Sequence, residues 1–342
     1  MTKPEIINSD SNNPDINNAD INNSDIKYYK FDDAFDLTKA SVEKLLVQAP
    51  HMVRDYTKHL SKSQGKFVRA KALLVCGMNN QNEIHENAVH LAVSMEILHL
   101  ATLVHDDIID DSDLRRGNET LQKKYGKKKA VICGDYLLGL SLRNLSQLKE
   151  KGNYTEFFLP NYVSRVCLGE LEQYSNNGNL NISTFRYLKI IRGKTAALFE
   201  GAFLAGAIFS GEEEKYRSQY AKLGRYIGMI FQLTDDCIDF EASEAEAKKP
   251  VGRDYEEGVI TLPLIYAIKQ NEEFNNNIKT GKINVEEIIK LVLKFDGIGF
   301  TKGISKGYYK KAGIIIDTLE INAEKKGKLM NILEKSYNGI TK

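Results

Sequence analysis

The sequence predicts an all-α fold, a helical bundle around a central cavity. Three observations predict it. Apolar residues recur at helical rather than alternating spacing from Phe31 almost to the C-terminus. These helical stretches are joined by short polar loops, and no linker divides the chain into two domains. Two acidic stretches of equal spacing, Asp106-Asp107-x-x-Asp110 and Asp235-Asp236-x-x-Asp239, lie 129 residues apart and each closes an apolar helical run. A bundle can face two such helix ends across one cavity.

The totals narrow the function classes. Lys plus Arg is 47 and Asp plus Glu is 46 in 342 residues, so no global field favours nucleic acid. Hydrophobic residues at 42% and charged residues at 27% fit a globular chain. No apolar run approaches the roughly 20 residues of an integral membrane span. The N-terminus is polar and acidic, unlike a secretory signal or transit peptide. Cys76, Cys133, Cys167 and Cys237 lack CxxC spacing and read as reduced, mostly buried thiols of a cytoplasmic protein.

Taken in order, the chain begins with pentads: Asn-Asn-Pro-Asp-Ile, Asn-Asn-Ala-Asp-Ile, Asn-Asn-Ser-Asp-Ile. One isoleucine in five cannot build a core, so residues 1–30 are expected to be disordered and 31–342 to form one catalytic domain. Ala34 to Ala49 is amphipathic, through Leu37, Ala40, Val42, Leu45 and Leu46. His51 to Ser61 leads to a turn at Ser63-Gln64-Gly65, and Phe67 to Met78 is apolar. Ile84 to His105 forms a long helix that runs into the first acidic motif. Further helical patterns span Ala130–Leu148, Phe157–Gln173, Ser183–Phe209, Tyr216–Asp239, Thr261–Lys269 and Val285–Lys294, with two more after Thr301. The lysines of the last forty residues, Lys325 among them, read as a solvated helix face with Asp317, Glu320, Glu324 and Glu334 as partners.

The chemistry follows from the charges. Asp106 and Asp110 share a helix face one turn apart, and two like charges there repel unless a cation sits between them. Mg²⁺ suits the position, because it takes one or two carboxylates and completes its shell with water and phosphate. With Asp107, Asp235, Asp236 and Asp239, six carboxylates would meet at a mouth about 10 Å wide. Two or three Mg²⁺ and a diphosphate would turn that frustration into a binding site. Cations for the phosphates are at hand. Gly65-Lys66-x-x-Arg69 opens a helix, where backbone N–H groups favour anions. Arg115-Arg116-Gly117 follows the first motif. Arg192-Gly193-Lys194-Thr195 interrupts a helical pattern; its glycine costs about 1 kcal/mol of helix propensity, which predicts a kink facing a ligand. Lys248-Lys249-Pro250 begins a loop placed to fold over the second motif.

These motifs, with Phe231-Gln232-x-x-Asp235-Asp236, Lys249-Pro250-x-Gly252-x-Asp254 and Thr261-Leu262-Pro263, resemble the trans-isoprenyl diphosphate synthases, in order from about residue 31 to 340. Within the family the chain looks most like the catalytic large component of the heptaprenyl synthases. The resemblance implies the isoprenoid-synthase helical bundle and a head-to-tail condensation of isopentenyl diphosphate with an allylic diphosphate. It implies that Asp106 and Asp110 bind two Mg²⁺ with Asp107 in support. Asp235 would bind a third, with Asp236 and Asp239 behind it. Arg115, Lys194 and Lys249 would hold the allylic diphosphate, and Lys66, Arg69, His99 and Arg116 the isopentenyl diphosphate. Lys194, Thr195 and Gln232 would form the catalytic group, Thr195 and Gln232 turning oxygens toward the carbocation. A homodimer is the family default, and some members take a small regulatory subunit.

Two departures bear on this. Ala70 stands where the family has proline, and Val259 where many short-chain members have a second lysine. Product length is expected to depend on Leu98, Ala101 and Thr102 beneath the first motif, where none is aromatic, so a medium- or long-chain product is favoured over farnesyl or geranylgeranyl diphosphate. His105 is read as orienting an acid and Gln173 as lining the cavity, whereas Asp111, Asp113 and Arg253 are read as loop charges and Cys237 as packing. A terpene cyclase or a non-catalytic subunit is the alternative of another class. The first usually carries a different second metal motif; the second loses its acidic motifs, and this chain keeps both.

Overall fold

A computed structural model describes residues 26–62, 65–148, 159–241, 252–271 and 284–339. Most helices stand where the apolar period put them. Two short ones, Leu121–Tyr125 and Arg253–Glu256, fall in stretches read as loops, so Arg253 opens a helical turn rather than lying in a loop. The helices are α1 (Phe31–Val47), α2 (His51–Ser61), α3 (Val68–Cys76), α4 (Glu86–Ile109), α5 (Leu121–Tyr125), α6 (Lys127–Leu145), α7 (Leu159–Tyr174) and α8 (Thr184–Ile191). A π-helical turn at Arg192–Ala196 joins α8 to α9 (Ala197–Phe209), and α10 (Glu214–Glu241) follows. The remainder is α11 (Arg253–Glu256), α12 (Leu262–Lys269), α13 (Val285–Lys294), α14 (Gly297–Thr318) and α15 (Ala323–Asn338). Polar caps start several of them: Ser183 accepts from Arg186 N, and Asn284 forms a reciprocal capping box with Glu287.

The bundle is arranged around α4. Leu91, Ala92, Met95, Ile97 and Leu98 are buried along it, packed with α3, α6 and α9 in one hydrophobic core. Each large side chain buried there is worth about 1.5–3 kcal/mol relative to exposure. A second core joins α8, α10, α12 and α13 through Tyr187, Met229, Leu233 and Ile265. By length and composition alone, α4 is apolar enough to span a membrane. Its most apolar window is 61% buried inside the protein, as for the central helix of a bundle.

Two further expectations change. Packing begins before residue 31, because β1 (Tyr28–Tyr29) pairs antiparallel with β2 (Ile84–His85). The Tyr28 ring packs edge-on against His85, with ring centroids 5.3 Å apart, so it belongs to the fold. The expectation of disorder for residues 1–25 falls outside the described residues. Lys325 is not on a solvated face. It is buried, and its Nζ donates to the Met78 carbonyl at 2.8 Å and to Glu212 Oε1 at 3.1 Å. A lysine's charge is tolerated there because two acceptors replace water. The neighbouring Lys326–Asp317 and Lys328–Glu324 pairs do lie on the surface as expected.

Candidate active site

The C-terminal parts of α4 and α10 open on one cavity of about 660 Å³. Its apolar wall includes Val42, Leu46, Leu60, Leu100, Leu103, Leu198 and Phe231. Its polar wall brings Asp106, Asp110, Asp235, Lys66, Arg69, His99, Arg115, Arg116, Lys194, Thr195 and Gln232 together. Residues expected from scattered stretches of sequence therefore meet in one place. Thr102 also lines the cavity. Lys249 falls outside the described residues.

Unneutralised acids are strained here. Burial and then Glu170 push the Asp106 carboxyl up to about 7, and burial raises Asp110 as well. Among the described residues, no three His, Cys, Asp or Glu side chains gather closely enough to hold a metal ion unaided. All-oxygen donors presented singly or in pairs suit a hard divalent cation that takes its other ligands from phosphate and water.

The acids of each motif do not act alike. Asp107, expected among the metal acids, is 5% exposed and accepts from Arg115 Nε at 2.7 Å. Asp236, expected there too, is fully buried; its Oδ1 accepts from Gln232 Nε2 at 3.0 Å and its Oδ2 from the Tyr187 hydroxyl. Asp239 Oδ2 accepts from the Asp254 backbone N–H at 3.4 Å. None of these three lines the cavity. For Asp107 and Asp236 the reason is helical geometry: the residue after a cavity-facing one is rotated about 100° away.

The cations form two groups. In the first, the Arg69 guanidinium lies over the Phe199 ring at 4.9 Å and its Nη1 donates to His99 Nε2 at 3.0 Å. His99 is held neutral by burial and then by Arg69, which keeps Nε2 an acceptor. Burial lowers Arg69 to about 10, and among the described residues its buried Nε has no hydrogen-bond partner, which leaves a donor for an anion. Arg116 completes this group beside Gly65, where an added Cβ would stand 3.0 Å from its Nη1. A two-residue turn carries it: Arg116 and Gly117 both have positive φ, of 52° and 79°, between β3 (Leu114–Arg115) and β4 (Asn118–Glu119). A non-glycine residue in the left-handed region is held there by its surroundings. Buried Thr120 and Gln122 both donate to the Ser112 carbonyl and fix the base of this hairpin.

Lys194 belongs to the second group. Its Nζ is 2.9 Å from Glu170 Oε1. Burial works against its charge, but Glu170, Asp106 and Asp110 outweigh burial and raise its pKa. The kink predicted at Arg192–Thr195 is a π-helical turn, a feature frequent at functional sites. Its glycine serves packing as well: a Cβ on Gly169 of α7 would collide with the Lys194 backbone nitrogen, and one on Gly193 would lie 3.1 Å from Gly169 Cα. Beside it, Thr195 Oγ1 donates to Gln232 Oε1 at 2.7 Å.

Several expectations fail or were missing. Leu98 and Ala101 are buried but off the cavity. They lie on the side of α4 that carries Ser94 and His105, which touch Ser141 and Gly134 of α6. His105 therefore faces Asp135, 3.4 Å away, rather than the acids of its own motif. Glu170 lines the cavity in place of Gln173. Glu96 and Glu257 line it too without having been expected there, as does Asp254, which the sequence offered only as the end of the Lys249-Pro250-x-Gly252-x-Asp254 motif. Glu170 was within reach of the sequence, since it lies one turn before Gln173 in a segment already suspected.

The chain matches the sequence profile described as polyprenyl synthetase over residues 50–294. It is 34% identical to heptaprenyl diphosphate synthase component 2 of Bacillus subtilis (strain 168), over 91% of this chain and 90% of that protein. The crystal structure of heptaprenyl diphosphate synthase from Staphylococcus aureus superposes with a TM-score of 0.84 at 31% identity, covering 91% of this chain and 99% of that one. A polyprenyl synthase from Caulobacter crescentus CB15, solved with calcium and isoprenyl diphosphate, superposes at 0.78 with 25% identity, covering 91% and 98%.

Proposed function

The chain belongs to the polyprenyl synthetase family, whose members are prenyltransferases, and we propose that it condenses isopentenyl diphosphate head to tail with an allylic diphosphate. The product is a medium- or long-chain trans-polyprenyl diphosphate, with the heptaprenyl chain as the first candidate. One observation carries this reading: a single apolar-walled cavity is lined by Lys66, Arg69, Arg115, Arg116 and Lys194 together with Asp106, Asp110 and Asp235.

In this reading Lys194 and Arg115 grip the allylic diphosphate, with Lys249 as a third contact. Lys66, Arg69, His99 and Arg116 take the isopentenyl diphosphate. Asp106, Asp110 and Asp235 would hold Mg²⁺, three ions per site. Bound there, the metal supplies charge neutralisation that makes diphosphate a better leaving group. Thr195 and Gln232 turn oxygens toward the allylic carbocation as the carbon–oxygen bond breaks. Leu100, Leu103, Leu198 and Phe231 keep water from it. The new carbon–carbon bond forms, and the departed diphosphate takes the proton, so no side-chain base is needed. The small Thr102 at the wall supports chain growth past the first additions.

A second subunit is proposed alongside the homodimer, supported by the word component in a relative's name. Four free thiols support a cytoplasmic location. The test is incubation with labelled isopentenyl diphosphate and farnesyl diphosphate, with and without Mg²⁺, alone and with a candidate small subunit. Reverse-phase chromatography of the dephosphorylated product gives chain length. A Mg²⁺-dependent elongated product is expected; none in any arm would sink the reading.

A further inference from the structure

We infer that Tyr187 and Asp236 are positioning residues that hold the Gln232 amide with its oxygen toward the cavity, an assignment that rests on the prenyl-transfer reading. Tyr187 and Asp236 are buried and neither lines the cavity, so they act only through what they touch. Tyr187, on α8, donates its hydroxyl to Asp236 Oδ2. Asp236 Oδ1 accepts from Gln232 Nε2 at 3.0 Å, and Gln232 Oε1 accepts from Thr195 Oγ1 at 2.7 Å.

This chain of bonds has one direction. Burial raises the Asp236 carboxyl to about 7, and the hydrogen bonds from Gln232 and Tyr187 work against that rise. In the ionised form the carboxylate only accepts, so the Gln232 amide nitrogen is the end that faces it. The amide oxygen is then the end left near Thr195 and the cavity. Thr195 spends its only proton on that oxygen, which leaves its own lone pairs for the cavity. Gln232 and Thr195 both line the cavity, so the negative ends of two dipoles are fixed before positive charge develops on the substrate. With the amide reversed, an N–H would face the same charge. This gives the second acid of the second motif a hydrogen-bonding task of its own, accepting from Gln232 on one oxygen and from Tyr187 on the other, without contact to a metal. It also ties α8, just before the π-helical turn, to α10.

The test is Tyr187→Phe made in the wild-type and Gln232→Leu backgrounds, with kcat and KM measured for both diphosphates. Removing one such hydrogen bond is expected to lower kcat about 5–30-fold with KM within about twofold. In the Gln232→Leu background the same substitution should cost less than about twofold, because its route of action is gone. An equal loss in both backgrounds, or a change confined to KM, would overturn the inference. Asp236→Asn forms the second arm and decides if Tyr187→Phe does not fold, as judged by circular dichroism. Asparagine still accepts from the Gln232 amide and can donate to the tyrosine oxygen, so its loss should be smaller than that of Asp236→Leu. The Mg²⁺ concentration for half-maximal rate should not move. A rise in that concentration as large as for Asp235→Asn would mark Asp236 as a metal-binding group and overturn the assignment. If the wild type makes no elongated product, the prenyl-transfer reading fails first and this inference with it.

Discussion

The two acidic motifs have the same spacing and different uses. At the end of α4, Asp106 and Asp110 both reach the cavity, and the middle acid, Asp107, is spent on Arg115. On α10 only Asp235 reaches it, and the middle acid is spent on Gln232 and Tyr187. The third positions differ because the helices end differently. Asp110 is the C-cap of α4 and stands at the mouth. Asp239 is still inside α10, which runs to Glu241, and the backbone N–H groups of Gly252 and Asp254 bond to it. A repeated spacing therefore fixes which acids share a face. What each acid touches depends on neighbours from elsewhere in the chain.

Removing a cavity-facing acid should break this contrast most severely. Asp106→Ala and Asp235→Ala each take away a group proposed to hold Mg²⁺, whose charge stabilisation is worth several kcal/mol, so kcat should fall on the order of 10²–10³-fold. Steady-state kinetics over a Mg²⁺ series checks it; activity within about tenfold of wild type at saturating Mg²⁺ would remove these acids from the site. A smaller effect is expected at the middle acid of the first motif. Asp107→Asn weakens the hold on Arg115, so KM for the allylic diphosphate should rise about 5–20-fold while kcat changes less. A kcat loss equal to that of Asp106→Ala would show that Asp107 does more than aim an arginine.

The bundle was legible in the sequence because each helix carries its own evidence in its apolar period and caps. Asp106, Asp110, Asp235, Lys66, Arg69, Arg115, Arg116 and Lys194 were legible as residues of one cavity because clustered charge at helix ends demands a partner. Thr195 was legible because it sits at a break in a helical pattern, whereas His99 and Gln232 were legible only through the family resemblance. Leu98 and Ala101 lie off the cavity because distance along the chain from Asp106 does not set the angle around the helix. Thr102, at about 40° from Asp106 on the helix wheel, faces the cavity, while Ala101 is turned about 140° away. Tyr187 was unreadable for a different reason: it reads as one more core aromatic until α8 and α10 are side by side. Lys325 was invisible as a buried charge because its partners, Met78 and Glu212, are far away in sequence.

That angle gives the next test. Thr102→Phe should shorten the product, because the ring would enter the cavity wall. Ala101→Phe should act mainly on stability, since it forces a ring into the packed space toward α6, at a cost of about 1–3 kcal/mol. Chromatography of the dephosphorylated products and thermal unfolding separate the two. Unchanged length in Thr102→Phe, with shortening in Ala101→Phe, would return the floor of the cavity to Ala101.

The smallest expected effect concerns protons at the first motif. Burial and Glu170 raise the Asp106 carboxyl from 3.8 to about 7 in the folded metal-free protein. A carboxyl raised on folding binds its proton more tightly in the native state than in the unfolded chain. Between pH of about 4 and about 7 the native state therefore holds more protons, and this group's contribution to stability falls as pH rises. Above about 7 the penalty is constant. Asparagine does not titrate, so Asp106→Asn should gain thermal stability over the wild type as pH increases through that window. The gain should be near its smallest at pH about 4 and level off above pH about 7.5, at a few degrees. Differential scanning calorimetry in chelator-treated buffer reads it directly. Mg²⁺ with pyrophosphate should shrink the gain at high pH, because a ligand bound only to the native wild type restores its stability. A difference that stays flat with pH would mean that solvent or a neighbouring cation already relieves Asp106, and the repulsion attributed to the first motif would not exist.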